Sequence, residues 1–290
     1  MTAKELLTKA TDALAGIGIH NAAQEAGWII RHITGVPPPQ IQFAQSSPDV
    51  ASEQATAILS QVARRCEGEP LQYILGTTEF YGLELQVGPG VLVPRPETER
   101  LVDFALGRAP HNGPICDLCT GSGAVALAMA SRVGDTRTIT GLDLSPSALA
   151  YARRNADALG FSNVTFRQTD LWEDTPRDAQ FVLVTANPPY VAPCEYADLP
   201  IDVRDHEPPM ALLAENNGLA IIARIAHESR PFMAPDAWLL CEIGSQQAAR
   251  SLALFRGTGW EDVRIRQDYT GRDRVLEARN PSPETPLGNT

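Results

Sequence analysis

Ile115-Cys-Asp-Leu-Cys-Thr-Gly-Ser-Gly-Ala-Val-Ala126 is the stretch of this chain that decides the fold. It begins as an apolar, strand-like run that reaches Asp117, and Gly121 and Gly123 come just before a second apolar run of helical character. Glycines let the backbone approach a ligand closely, and the first turn of the helix that follows has free N–H groups. The stretch therefore predicts a strand, a ligand-binding loop and a helix, in that order.

The rest of the chain after about residue 95 repeats this alternation of strand and helix. Residues 145–160 form a clear helix, in which Ser145 is suited to the N-cap, Pro146 to the first helical position and Gly160 to the end. Alternating strands and helices predict an α/β fold with a mostly parallel sheet and helices on both faces. The predicted strands end at Asp117, Asp143, Arg167 and Asn187, with later strands at 239–243, 263–265 and 275–278.

The first 70 residues have a helical pattern instead. Leu6, Leu7, Ala10 and Leu14 would share one helix face, and similar spacing recurs in two further helices, separated by a breaker-rich connection at 35–48. These helices could cap the fold or dock a partner, and we favour docking. Hydrophobic alternation on either side of Gly82 predicts a β-hairpin. We therefore expect a helical substrate-docking domain at 1–70, a β-hairpin connector at 71–93, a catalytic domain at 94–279 and a disordered tail at 280–290.

Composition and charge limit the class of protein. The chain has 290 residues, 43% of them hydrophobic and 20% charged, which is ordinary for a globular enzyme. A net charge of −11 argues against an extended phosphate-binding surface, so we expect no direct contact with nucleic acid. The five cysteines lack disulfide-framework or zinc-ligand spacing, and no signal peptide or long apolar run is visible. These features predict a cytoplasmic protein with no metal and no membrane contact.

Asn187-Pro-Pro-Tyr190 follows the apolar run at 181–186 and predicts a rigid binding loop. Each proline fixes its own φ at about −65° and restricts the residue before it, so the turn is stiff and extended with free carbonyl groups. Asn187 adds a side-chain carbonyl, and Tyr190 adds an aromatic ring with a hydroxyl group. Such a loop can accept both hydrogens of an –NH2 group and pack against its plane.

Three acidic residues follow three successive predicted strands, where open parallel sheets bind their ligands. Asp117 is suited to a cationic ligand, Asp143 to the two hydroxyl groups of a ribose, and Asp170 to the amino group of an adenine. The glycine loop also matches a dinucleotide-binding fingerprint. A dinucleotide-dependent hydride transfer, however, would not explain Asp117 or the Asn-Pro-Pro-Tyr loop. A methyl-donating sulfonium cofactor explains both.

Together these residues resemble the class I S-adenosylmethionine-dependent methyltransferases and, more narrowly, the release factor glutamine methyltransferases of the PrmC/HemK family. The Asn-Pro-Pro-Tyr tetrad is shared with adenine and guanine amino-methyltransferases, but Val93-Pro-Arg-Pro-Glu-Thr-Glu99 and the helical N-terminal domain narrow the resemblance. It implies a Rossmann-like class I methyltransferase domain after a small helical domain and a β-hairpin. The similar segments are 69–76, 93–99, 117–123, 187–190 and 207–208.

The resemblance also implies a reaction and its site. A methyl group would pass from S-adenosylmethionine to the side-chain amide nitrogen of a glutamine in the Gly-Gly-Gln loop of peptide chain release factors, leaving S-adenosylhomocysteine; we expect the enzyme to be a monomer. Asn187, Pro188 and Tyr190 would be catalytic and, with Pro189, would bind the substrate. The residues implied for cofactor binding are Asp117, Cys119, Thr120, Gly121, Ser122, Gly123, Asp143, Asp170, Leu171 and Asn187.

The sequence departs from the family pattern at two places. Cys119 stands where glycine is usual, and we expect a Cβ to be tolerable there only if φ is negative; Ala214-Glu-Asn-Asn-Gly218 stands where paired glycines are usual. The same tetrad would also serve an amino-methyltransferase acting on a nucleic-acid base or on a small-molecule amide or amine, although the acidic charge disfavours nucleic acid. A nicotinamide-dependent oxidoreductase and a non-catalytic cofactor-binding scaffold are further alternatives.

Overall fold

The computed structural model describes residues 1–43 and 49–282 and divides the chain into two compact units. The first unit is Met1–Thr77 with Pro200–His206, and the second is Thr78–Leu199 with the described residues from Glu207 onward. In chain order the elements are α1 (Ala3–Gly16), α2 (Ala22–Thr34), α3 (Pro38–Phe43), α4 (Ser52–Cys66), α5 (Leu71–Leu75), β1 (Thr77–Phe80), β2 (Leu83–Gln86), α6 (Glu99–Leu106), β3 (Ile115–Leu118), α7 (Ala124–Val133), β4 (Ile139–Asp143), α8 (Pro146–Leu159), β5 (Val164–Gln168), β6 (Phe181–Ala186), α9 (Ile201–Arg204), α10 (Pro209–Leu212), α11 (Glu215–Gly218), α12 (Ala220–Glu228), β7 (Met233–Glu242), α13 (Ala248–Gly257), β8 (Glu261–Gln267) and β9 (Asp273–Arg279).

The first unit has an apolar core of its own, formed by helix faces that the sequence predicts. Leu6, Leu7, Ala10 and Leu14 are all buried on α1, and α2 and α4 add further apolar side chains to the same core. Helix α3 is an addition, because it forms inside the connection predicted to be broken by prolines. Its prolines lie in the first helical turn, where a missing N–H removes no helical hydrogen bond. Residues 44–48 of that connection lie outside the described residues.

The second unit is built on a seven-stranded sheet in the order β5-β4-β3-β6-β7-β9-β8. The first five strands in this order pair in parallel, and β9 is antiparallel to both β7 and β8. The prediction of a mostly parallel α/β sheet is therefore confirmed. Strand β3 lies between β4 and β6, so the strand order reverses at β3, and this is the place where open sheets of this kind bind ligands.

Helices pack on both faces of the sheet. Successive side chains of a strand point to opposite faces, and in β3 Ile115 and Cys116 accordingly belong to two different apolar clusters. Leu183 and Val184 of β6 divide in the same way. Helices α6, α7 and α8 contribute to one cluster, and α12 and α13 contribute to the other. The central strands are thus buried on both sides, and their ends are the part left for a ligand.

Local features at the element ends agree with the sequence in most places. Strands β1 and β2 form the predicted hairpin, with positive φ at Tyr81 and Gly82 in the turn. Ser145 caps α8 by accepting from the Ala148 N–H at 3.2 Å.

Two segments differ from the prediction. Helix α5 occupies residues for which we expected strand character. Asn280, assigned to the disordered tail, is buried and its side chain donates to two main-chain carbonyls; residues 283–290 lie outside the description.

Within the described ranges, 1–43 and 49–282, the helices are all too short or too polar to cross a lipid bilayer.

Candidate active site

A pocket of about 420 Å³ lies where β3, β4, β5 and β6 end, and its lining comes largely from the loops that follow these strands. This volume is within the range of about 300–1,000 Å³ that is usual for small-molecule sites. Gly123, Pro188 and Tyr190 are not among its lining residues, although all three were expected in the site. The expected residues that do line the pocket are Asp117, Cys119, Thr120, Gly121, Ser122, Asp143, Asp170, Leu171, Asn187 and Pro189.

The loop between β3 and α7 is shaped by its glycines. Gly121 and Gly123 have φ values of 58° and 82°, which a residue with a Cβ adopts only at a cost. Gly123 is the N-cap of α7, and a Cβ there would lie 3.0 Å from the ring of Phe166. Gly123 thus begins the helix and packs against the protein interior, which explains why it does not face the pocket.

The two departures from the family pattern keep the backbone conformation of glycine. Cys119 has a φ of 55°, so the expectation that a Cβ is tolerable there only at negative φ is wrong. A left-handed conformation costs a residue with a Cβ roughly 1–2 kcal/mol, and the fold accepts this cost at Cys119. Asn216 and Asn217 have φ values of 57° and 54°, in a region that asparagine tolerates better than most residues. At both places the backbone therefore adopts the left-handed conformation that glycine adopts readily.

Asp117 is a buried carboxylate whose position is fixed by two hydroxyl groups. The Thr185 hydroxyl donates to Oδ1 at 2.7 Å and the Thr120 hydroxyl donates to Oδ2 at 2.6 Å. Its side chain is only 2% exposed, and burial raises its pKa to about 6 despite the two hydrogen bonds, with a smaller contribution from the charge of Asp143. A cation placed beside this carboxylate would favour its charged form.

Asp143 joins the loops that follow β3 and β4. Its Oδ2 accepts from the Gly121 N–H at 2.8 Å and its Oδ1 accepts from the Ser145 N–H at 2.8 Å. A carboxylate offers about four acceptor positions, so two remain for hydroxyl groups of a ligand. Burial raises the pKa of Asp143, and its main-chain hydrogen bonds oppose that rise.

Asp170 and Leu171 close the pocket beyond β5. Asp170 forms an ion pair with Arg224 of α12, with 2.7 Å between Oδ1 and Nη1. Leu171 is buried and has a φ of 51°, so the chain turns sharply at the pocket wall. The ion pair fixes the Asp170 side chain at the edge of the site.

The charged side chains that line the pocket are all acidic. Among the described residues that form its walls are Asp117, Asp143 and Asp170, and no Lys, Arg or His is present there. Such a lining repels a pyrophosphate group and attracts a cationic ligand. The electrostatics of the pocket therefore argue against the dinucleotide alternative.

The Asn-Pro-Pro-Tyr loop follows β6 and is held by side chains from other elements. Asn187 donates through Nδ2 to the Thr98 Oγ1 at 3.2 Å, and this bond leaves its Oδ1 for other partners. The Tyr190 hydroxyl donates to Glu242 Oε1 at 3.3 Å, and the Tyr190 carbonyl accepts from Gln247 Nε2 at 2.8 Å. Burial is the main reason why the pKa of Tyr190 is raised.

Thr98 and Glu242 lie beside the Asn-Pro-Pro-Tyr loop, and the sequence predicted a site role for neither, although Thr98 belongs to the segment 93–99 that carries the resemblance. Both are buried, with 3% and 1% of their surfaces exposed. Burial raises the pKa of Glu242 to about 7, while the neighbouring Thr98 side chain, the charge of Arg274 and the Tyr190 hydroxyl act in the opposite direction. A single acidic residue in the apolar run Leu239-Leu-Cys-Glu-Ile243, near the end of a predicted strand, is the signal that could have identified Glu242.

Comparisons with known proteins agree with this fold. A model of the PrmC N-terminal domain matches residues 5–76, and a model described as a methyltransferase domain matches residues 110–238. The catalytic domain of hMettl16, solved with the MAT2A 3′UTR hairpin 6, shares the fold with a TM-score of 0.57 at 16% identity, over 82% of this chain and 85% of that one.

Relatives with higher identity extend over almost the whole chain. The release factor glutamine methyltransferase of Vibrio cholerae is 38% identical over 95% of this chain and 96% of its own length. The release factor glutamine methyltransferase of Geobacter sulfurreducens is 37% identical over 96% of each chain. With identity of this level over nearly the full length, the chain belongs to the release factor glutamine methyltransferase family.

Proposed function

We propose that this protein transfers a methyl group from S-adenosylmethionine to the side-chain amide nitrogen of a glutamine in the Gly-Gly-Gln loop of peptide chain release factors. The observation that carries the proposal is that Asn187 and Pro189 line the same pocket as Asp117, Asp143 and Asp170. A group that can accept hydrogen bonds from an amide thus shares one cavity with an acidic site for a cationic cofactor. The relatives named for this activity support the choice of acceptor.

The residues of the pocket suit S-adenosylmethionine. We assign Asp117 to its positively charged end, the two remaining acceptor positions of Asp143 to the ribose hydroxyls, and Asp170 with Leu171 to the adenine. The acidic lining supports this assignment, because the cofactor is cationic at its sulfonium and amino groups and carries no phosphate. When bound, S-adenosylmethionine supplies an electrophilic methyl group.

Asn187 is proposed to hold the acceptor nitrogen. The nitrogen of a carboxamide is a weak nucleophile because its lone pair is delocalised, so the enzyme gains most by orienting it. Asn187 Oδ1 would accept one N–H hydrogen bond, and the main-chain carbonyl of Pro188, which does not itself line the pocket, is proposed to accept the other. Both would favour the positive charge that grows on nitrogen in the transition state. Positioning of reacting groups can lower a barrier by about 7–11 kcal/mol.

Proton release completes the reaction. The amide nitrogen would bond to the methyl carbon as the sulfur–carbon bond broke, and it would then have to lose a proton. No His or Lys lines the pocket within the described chain, so we propose that this proton passes to water after the methyl transfer.

The partners follow from the same proposal. We propose that the helical N-terminal unit docks the release factor, which the match of residues 5–76 to the PrmC N-terminal domain supports. We further propose that the enzyme acts in the cytoplasm as a monomer. We also propose that it makes no direct contact with nucleic acid, which its net charge of −11 supports.

Mass spectrometry of purified release factors tests the proposal. Incubation with this protein and S-adenosylmethionine should add one methyl group to the glutamine of the Gly-Gly-Gln loop. Parallel incubations with RNA and DNA should add none. Methylated nucleic acid together with an unmodified release factor would assign the tetrad to the amino-methyltransferase alternative instead.

A further inference from the structure

Glu242 is a buried acid that the reaction outlined above does not use. It ends β7, which pairs in parallel with β6 so that Cys241 lies opposite Ala186. Glu242 and Asn187 are the next residues on these two neighbouring strands. The fold therefore brings an acidic side chain to the strand end beside the Asn-Pro-Pro-Tyr loop.

Two neighbours connect Glu242 to both ends of this loop. The Tyr190 hydroxyl donates to Glu242 Oε1 at 3.3 Å. Thr98 lies beside this carboxyl group and favours its charged form, and the Thr98 Oγ1 accepts from Asn187 Nδ2 at 3.2 Å. Glu242 thus contacts the last residue of the tetrad directly and lies beside the hydroxyl group that holds the first.

The environment of Glu242 disfavours its charged form. Its Oε2 is buried and has no hydrogen-bond partner among the residues that the structure describes. A buried carboxylate without a full set of partners lowers stability. An acid kept in such a place, beside a site loop, points to a role in the site.

We propose that Glu242 is a positioning residue, whose carboxylate orients the hydroxyl groups of Thr98 and Tyr190 so that Asn187 presents Oδ1 to the acceptor amide. This inference rests on the proposed function, because the acceptor amide is the group that Asn187 would hold. When the Thr98 hydroxyl donates its hydrogen to Glu242, its lone pairs are free to accept from Asn187 Nδ2. The carboxamide is then fixed in one orientation.

Protonation of Glu242 would weaken this arrangement. A neutral carboxyl group can itself donate to Thr98 and so competes with Asn187 for the Thr98 oxygen. The charged or titratable groups that act on Glu242 are Arg274, Tyr190 and Glu97, with Cys241 beside it in β7. Turnover should therefore fall as the pH falls through the pKa of Glu242, which is about 7.

Kinetics of four proteins test the inference: wild type, Glu242→Gln, Thr98→Val and Thr98→Ser. With a purified release factor as substrate, Glu242→Gln and Thr98→Val should each lower kcat by about 10- to 100-fold, a loss somewhat smaller than that for removing a catalytic hydrogen-bonding group itself. The Kd for S-adenosylmethionine should stay within about twofold of wild type. Thr98→Ser keeps the hydroxyl group and should retain most of the activity.

The pH profile separates a positioning role from a merely structural one. In the wild type, kcat should rise with pH through an apparent pKa of about 7, and Glu242→Gln should lose this dependence. Wild-type kcat and an unaltered pH profile in Glu242→Gln would overturn the inference, as would equal losses in Thr98→Ser and Thr98→Val. A release factor left unmodified by the wild type would refute the proposed function and the inference together, whereas active wild type with equally active Glu242→Gln refutes the inference alone.

Discussion

The main-chain N–H of Gly121 donates to Asp143 Oδ2 at 2.8 Å, which ties the glycine loop after β3 to the acid at the end of β4. The two halves of the proposed cofactor site are therefore one connected structure. Asp143 fixes the loop with one acceptor position of this oxygen and keeps others for the ligand. Loss of its carboxylate should therefore weaken cofactor binding and, because the N–H groups of Gly121 and Ser145 lose their acceptor, should also lower the stability of the fold.

Asp143→Ala should weaken S-adenosylmethionine binding by about 1.5–3 kcal/mol, the usual range for a hydrogen bond to a charged group. Isothermal titration calorimetry measures this directly. Asp157→Ala, which removes an exposed carboxylate from α8, is the matched control and should bind as wild type does. An unchanged Kd in Asp143→Ala would contradict the ribose assignment.

Asn187→Ala should lower kcat by about 10²–10³-fold, because it removes one preorganised acceptor for the amide hydrogens. The Kd for S-adenosylmethionine should change by a smaller factor than kcat, because Asn187 is only one of the residues implied for cofactor binding and three carboxylates hold the cofactor in the proposed site. Steady-state kinetics with a release factor gives the first quantity and calorimetry the second. Asn112→Ala, at an exposed position, serves as control. Full turnover in Asn187→Ala would remove the proposed mechanism.

Cofactor affinity should depend on pH through Asp117. Burial raises its pKa to about 6, so the carboxyl group is largely neutral at pH 5 and largely charged at pH 7. Because a cationic ligand favours the charged form, the Kd for S-adenosylmethionine should rise as the pH falls from 7 to 5, by at most about tenfold per pH unit for one proton. Asp117→Asn should bind more weakly at pH 7 and should lose most of this dependence. Parallel pH profiles for both proteins would show that another group is responsible.

The raised pKa of Glu242 also predicts how stability varies with pH. Its pKa in the folded protein is about 7 against an ordinary value of 4.5, so its contribution to stability is fully present below 4.5 and is lost as the pH rises through 7. Glu242→Gln removes this loss. From pH 4 to pH 8 the free energy of unfolding should therefore shift in favour of the variant by about 1–3 kcal/mol. Urea denaturation at both pH values measures the shift, and a constant difference would contradict it.

Local patterns in the sequence predict the strands of the sheet and the positions of Asp117, Asp143 and Asp170 after three of them. A parallel strand is a short apolar run, and the residue at its end is the next letter of the chain, so Asp117 and Asp143 can be located without knowing which strands pair. Glu242 could not be located in this way. Its role depends on β7 lying beside β6, on a threonine from a distant turn, and on burial of a charge inside an apolar run.

The backbone conformation of single residues also could not be predicted from the sequence. The φ of Cys119 is set by tertiary contacts such as the bond from the Thr120 N–H to the Leu142 carbonyl at 3.0 Å, which joins the loop to the neighbouring strand. Residue type alone favours a negative φ for cysteine, and the fold overrides this preference. Helix α3 differs from prediction for a related reason, because prolines that break a helix interior are tolerated at its start.

The strain at Cys119 can be measured with a matched pair of variants. Cys119→Ala keeps a Cβ at a φ of 55°, whereas Cys119→Gly removes it. Both lose the thiol and its packing against the apolar cluster beside β3, so their difference isolates the backbone term. Cys119→Gly should be the more stable of the two by about 1 kcal/mol, because the left-handed conformation penalises a Cβ by more than glycine loses in chain entropy. Chemical denaturation at one pH gives both values. Equal stability, or a more stable alanine variant, would mean that the loop relaxes to negative φ in solution, and the glycine-like path at residue 119 would then be wrong.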